Sequence, residues 1–168
     1  VPSTEQSTEP GSIARAYFEA VAAHDVDAMM DFWEPGGKGD IHGLVVLIAP
    51  HSYRAWFANL FAAMPDFRFQ VLDVVAEGEL AAVHWHATGT FDGNTRFEGM
   101  DPTGATVDIT GCDLLTIRDG KIHRNDAYMN GAQMAQQLGA LPPAGSLPER
   151  AMLAALNLKT RLARALRR

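Results

Sequence analysis

Hydrophobic positions follow a helical period in the first third of the chain and a strand period through its middle. Ile13, Ala16, Tyr17, Ala20 and Val21 recur at helical spacing behind Ser12, which predicts a first helix broken at His24-Asp25. A shorter helix is predicted over residues 26–33, ending at Glu34-Pro35-Gly36-Gly37. Residues 41–48 read as a short strand closed by Pro50. Ser52 then opens a third helix with Tyr53, Trp56, Phe57, Leu60 and Phe61 along one stripe, stopped at Pro65. From residue 67 the period becomes two, and strands are predicted over 67–76, 80–91, 107–117 and 121–129. Glu77-Gly78 and Asp119-Gly120 mark turns, the latter a two-residue hairpin turn, and Asp92-Gly93 and the 99–104 stretch mark loops. Residues 131–138 return to helix. Helices first and long strands afterwards predict an α+β fold, with helices over one face of an antiparallel sheet.

The end of the chain stands apart. After Leu141-Pro142-Pro143, residues 148–168 form a predicted helix carrying six of the 14 basic residues, Arg150, Lys159, Arg161, Arg164, Arg167 and Arg168. One reading is a basic amphipathic helix for acidic membrane surfaces. The other is a terminal helix packed on the domain or on a twin subunit, favoured because the charges complement the dipole of the helix C-terminus. The expected organisation is a frayed polar segment over 1–11, one domain over 12–141 and a basic helical extension over 142–168.

Composition narrows the partners. A length of 168 residues suits one domain, and 47% hydrophobic with 20% charged residues is ordinary for a globular protein. A net charge of -6 argues against nucleic acid as a partner. The single Cys112 excludes an internal disulfide and a cysteine-based metal site. No apolar run approaches the roughly 20 residues that span a bilayer. Residues 1–10 lack the basic and apolar regions of a secretory leader, so a cytoplasmic location is expected.

The last hairpin supplies the strongest chemical lead. If Asp119-Gly120 is a two-residue turn, Arg118 pairs with Lys121, and counting outward sets Asp113 opposite Asp126 on one face. Gly111 with Tyr128, Leu115 with Arg124 and Ile117 with Ile122 share that face, whose apolar members mark it as the buried one. Two such carboxylates cannot both ionise cheaply, so one would hold its proton near neutral pH. A base beside an acid is the equipment for proton abstraction next to a carbonyl. A register one residue off would separate them, and Arg124 would neutralise one of them in a simple ion pair. His84 and His86 share one strand face, either lining a pocket or on the outer or dimer face; a metal there would need a third ligand from Asp113, Asp126 or His42. Trp33, Trp56 and Tyr128 lie on elements that should converge, as core or as pocket wall.

Several motifs resemble the SnoaL-like polyketide cyclase family of the NTF2-like superfamily. They are Pro65-Asp66-Phe67-Arg68-Phe69, Val83-His84-Trp85, Thr88-Gly89-Thr90, Gly99, Pro102-Thr103-Gly104, Asp119-Gly120-Lys121-Ile122 and Gln136-Gln137-Leu138-Gly139, in family order over roughly residues 12–141. The resemblance implies a cone-shaped cavity between the helices and the concave face of a curved sheet, commonly in a homodimer. It implies a small apolar or polycyclic ligand and no metal or organic cofactor. In the cyclases an Asp on the last strand is the acid/base of an intramolecular aldol closure, and Asp126 fits by position. Asp113 stands where the cyclases place a histidine, and Asn130 replaces a further acidic residue. The expected function is therefore a cyclase or isomerase with Asp126, Asp113 and His84 as catalytic residues. His42, His86, Trp33, Trp56, Arg124, Tyr128 and Asn130 are the expected substrate-binding residues. The alternatives are a binding protein without catalysis and an epoxide hydrolase-like enzyme built on Asp113, Arg124 and Asp126.

Overall fold

The computed structural model describes residues 9–166. Helix α1 (Pro10–Ala22) starts within the segment expected to fray, with Pro10 in its first turn where the missing N–H costs nothing; residues 1–8 of that expectation lie outside the described residues. Asp25 caps α2 (Val26–Asp31), accepting the Ala28 N–H at 3.0 Å. The chain then forms a strand where a loop is predicted. β1 (Trp33–Ile41) runs straight through Pro35-Gly36-Gly37, turns at Gly43 and returns as β2 (Val45–Ile48). Next come α3 (His51–Ala63), β3 (Arg68–Glu77), β4 (Leu80–Thr90), β5 (Thr106–Arg118), β6 (Lys121–Met129), α4 (Gly131–Gln137) and α5 (Leu147–Ala165).

The six strands form one curved sheet in the order β2-β1-β6-β5-β4-β3. All neighbours are antiparallel except β1 and β6, which run parallel. Helices α1, α2 and α3 cover the concave face. Ile13, Tyr17, Phe18 and Val21 of α1 are buried there against Phe69, Val83, Trp85 and Leu115 of the sheet, and the Phe18 and Phe69 rings stack at 5.0 Å. Burying such side chains contributes about 1.5–3 kcal/mol each, which outweighs the propensity terms of any one helix. The convex face carries no layer from the described residues. No described helix is long and apolar enough to cross a membrane.

The β5–β6 hairpin turns at Asp119 (φ 49°) and Gly120 (φ 77°), as the sequence predicts, and Arg118 pairs with Lys121 and Ile117 with Ile122. The next pair is Thr116 with Arg124, because His123 is extruded as a β-bulge. That one residue inverts the rest of β6. Asp113 faces Ala127, and Asp126 faces Leu114.

Candidate functional site

The concave face holds two adjoining features of opposite character. The first is a cavity of about 100 Å³ lined only by apolar residues, among them Phe18, Phe57, Phe69, Trp85, Ile109 and Met134. Toward the loop after β4 it adjoins a crevice of about 200 Å³, with Leu44, Phe97, Met129 and Met134 common to both walls. His42 and Glu98 are the crevice's titratable residues; the Trp56 indole holds Glu98 at 2.8 Å. A larger hollow of about 400 Å³ lies elsewhere, open and polar, beside Glu34, Lys38, Arg118 and Arg124. Most of its charges are already paired: His123 to Glu34, Arg118 to Glu79 and Arg124 to Asp126.

The second feature is a buried polar nest around Asp113, which with Asn125 makes up the buried carboxyl and amide side chains among the described residues. Asp113 accepts the Trp85 indole N–H at 2.7 Å and the Asn125 amide at 2.6 Å. Burial pushes its carboxyl up to about 6, partly offset by these two hydrogen bonds. The raised proton affinity comes from desolvation, not from a second carboxylate. Burial also pushes the phenols of Tyr17 and Tyr53 upward, with the Asp113 charge adding to both. Two glycines make room: a Cβ on Gly39 would overlap the Tyr53 hydroxyl, and one on Gly111 would strike the Trp85 ring. The Trp85 ring thus separates the two features, with one side on the cavity and its N–H on Asp113.

The structure disperses most of the residues singled out in the sequence. Asp126 lies on the convex face, bound through both oxygens by Arg124 at 2.5 Å and by His42 at 3.0 Å. The Arg124 hydrogen bond, with smaller help from His42, holds its carboxyl below the usual range. The opposed pair of carboxylates therefore does not form, and Asp113, Arg124 and Asp126 do not share a face. His84 and His86 also point outward, next to Asp73 at 3.5 Å and Asp108 at 2.8 Å, and neither lines the cone. Tyr128 is on the convex face as well, stacked on His42 with ring centres 4.3 Å apart. Asn130 caps α4, accepting the Gln133 N–H at 3.1 Å, which is a structural task. Trp33 is core, packed on Tyr17 and Tyr53. Trp56 lines the cavity and His42 the crevice. Asp40, His42 and Asp126 bring three possible ligand atoms within 4.8 Å of one another, but Arg124 already occupies Asp126 and balances its charge.

Asn125, Tyr17 and Tyr53 of the polar nest escaped the sequence reading. One signal pointed to Asn125: it alternates with Ala127 and Met129, while the charged Arg124 and Asp126 occupy the other parity.

The family model described as SnoaL-like polyketide cyclase matches residues 11–138. No curated protein sequence matches the chain. Among solved structures it is similar to a protein of Jannaschia sp. CCS1 provisionally assigned as a SnoaL-like polyketide cyclase, with 23% identity and a TM-score of 0.71 over 84% of this chain and 99% of that one. AclR of Streptomyces galilaeus, provisionally assigned as a hydroxylase, matches at 20% identity and a TM-score of 0.67, covering 94% of this chain and 96% of its own. That match leaves about ten of the 168 residues uncovered and so reaches into α5. A protein of Catenulispora acidiphila DSM 44928 with a ketosteroid isomerase-like fold, in complex with trimethylamine, matches at 15% identity and a TM-score of 0.64, over 78% and 97% of the two chains.

Proposed function

The chain belongs to the SnoaL-like polyketide cyclase family, and we propose that it binds a compact apolar molecule in the cone, with one ring in the cavity and the remainder in the crevice. The wholly apolar wall carries this reading, since it offers shape and dehydration and no fixed charge. Size sets the ligand class. A dry cavity of about 150 Å³ lined by similar side chains accepts benzene, so about 100 Å³ suits a single ring with slight yielding of Met64 and Met134. Polar groups of the ligand would lie toward the crevice, near His42 and Glu98. The test is an NMR titration of the methyl-labelled chain with toluene or indole. Saturable shifts at Ile109, Met129 and Met134 are expected; shifts confined to convex-face residues would sink the reading.

One observation favours a second reading, acid–base turnover of a carbonyl compound of the cyclase or isomerase kind. Asp113 is held by neutral donors and keeps a proton up to pH values near 6, as a group that exchanges protons must. It would act once the Trp85 ring moves aside. Deuterium uptake beside the carbonyl of a bicyclic aromatic ketone reads this directly. Uptake accelerated by the chain and abolished in Asp113→Asn supports turnover, and equal uptake with and without protein leaves binding alone.

A further inference from the structure

The crevice beside the apolar cavity holds a carboxylate, Glu98, at a backbone position that does not favour glutamate. Residues 97–100 form a two-residue hairpin turn, in which the Phe97 N–H donates to the Met100 carbonyl at 3.1 Å and the Met100 N–H to the Phe97 carbonyl at 3.0 Å. Both central residues are left-handed, Glu98 at φ 49° and Gly99 at φ 80°. Such turns take glycine, asparagine or aspartate at the first central position, and a glutamate there carries backbone strain. Turn formation therefore does not account for Glu98.

Its surroundings do. Glu98 lines the crevice and accepts the Trp56 indole N–H through Oε1 at 2.8 Å, a neutral donor that fixes the carboxylate and leaves its charge unbalanced. The cation nearest in sequence, Arg96, is turned onto Asp101 at 2.7 Å. No described lysine, arginine or histidine forms an ion pair with Glu98. His42, the other titratable residue of the crevice, has Asp126 at 3.0 Å and Asp40 at 3.8 Å, so any charge it gains is balanced on its own side. The Trp56 ring meanwhile lines the apolar cavity and meets the Phe97 ring edge-on, with centres 5.4 Å apart. Ring site and carboxylate are thus joined by a single side chain, an indole that touches both.

We propose that the molecule taken by the cone is an aromatic amine. Its ring fills the apolar cavity, and a short alkyl link carries its cationic nitrogen into the crevice onto the second oxygen of Glu98. This rests on the reading that the cavity takes a ring. A charge-assisted hydrogen bond to Glu98 attracts the amine, and the same carboxylate repels an anionic tail, so one residue acts in both directions on specificity. Exposed ion pairs are weak singly, and the effect is therefore read as a preference between matched ligands.

The probes are 2-phenylethylamine, ethylbenzene and 3-phenylpropionate, which share a ring and a short link and differ in charge, titrated at neutral pH into the methyl-labelled chain. All are expected to shift Ile109 and Met134, with the amine bound about tenfold more tightly than the acid. Glu98→Gln, which still accepts the indole hydrogen bond, should reduce that ratio about fivefold, and Glu98→Lys should reverse it. Glu77→Gln removes the same charge from the last residue of β3. It should leave the ratio intact, which separates Glu98 from the general pull of a net charge of -6. Amide spectra check that each variant is folded. Ethylbenzene binding without a preference for the amine would overturn the proposal and leave the ring-binding reading in place. So would a preference that survives Glu98→Gln or falls equally in Glu77→Gln. Cavity methyls unmoved by any of the three probes would remove that reading, and the proposal with it.

Discussion

At the scale of single residues, Asp113 is the one buried carboxyl among the described residues. Its folded carboxyl is pushed up to about 6 from an ordinary 3.8, so between these values the folded chain holds a proton that the unfolded chain has lost. Stability from this group is therefore complete below pH 4 and is lost as pH rises to about 6, a change of about 3 kcal/mol. Asp66 and Asp126, with lowered carboxyl values, push the opposite way as acid is added. The difference between wild type and Asp113→Asn isolates the one term. Urea unfolding at several pH values should show wild type losing about 3 kcal/mol relative to the variant between pH 4 and 7. A pH-independent difference would mean that Asp113 is not desolvated as the structure has it. The sequence displayed Asp113 and its inward face correctly, through Leu115 and Ile117 beside it. It did not display the donors Trp85 and Asn125, because which polar group meets a buried carboxyl depends on register.

At the scale of elements, one bulge separates the expected site from the observed one. Counting from Asp119-Gly120 is sound for two pairs and fails at His123, since an extruded residue leaves no mark on composition. The alternation beyond it does leave one: burying Arg124 and Asp126 beside Leu115 would cost several kcal/mol, whereas burying Asn125 and Ala127 costs little. β1 was hidden for a related reason. Pro35, Gly36 and Gly37 read as a loop, yet they lie in a bulged stretch between Trp33 and Lys38 whose hydrogen bonds go to Ala49. Deletion tests the bulge. Removing His123 restores a regular ladder with Asn125 and Ala127 still inward, so the chain should fold with a loss of about 1–3 kcal/mol. Removing Asn125 instead would swing Asp126 into the core beside Leu115, and no folded protein is expected. Near-UV circular dichroism and urea unfolding check both, and equal tolerance of the two deletions would contradict the assigned register.

At the scale of the whole molecule, the cone and its order of helices and strands were legible because hydrophobic period and turn chemistry agree over most of the chain. The contents of the cone were not, since cavity volume is set by residues from eight elements at once. Ala87 of β4 shows how the two levels connect. It is 3% exposed and lines the apolar cavity, so Ala87→Val adds two methyl carbons to empty space with a residue that favours strands. Each buried carbon is worth about 0.8 kcal/mol, less some strain, and the variant should be more stable by about 1 kcal/mol. If the cavity is the ligand site, that gain comes with loss of binding. Toluene at one hundred times its dissociation constant would stabilise wild type by about 2.7 kcal/mol, and the variant should show little of this. Thermal unfolding with and without toluene measures both effects together. A variant that is stabilised and still responds like wild type would move the ligand out of the cone, whereas a destabilised variant would show that the cavity is already filled by the motion of its own walls.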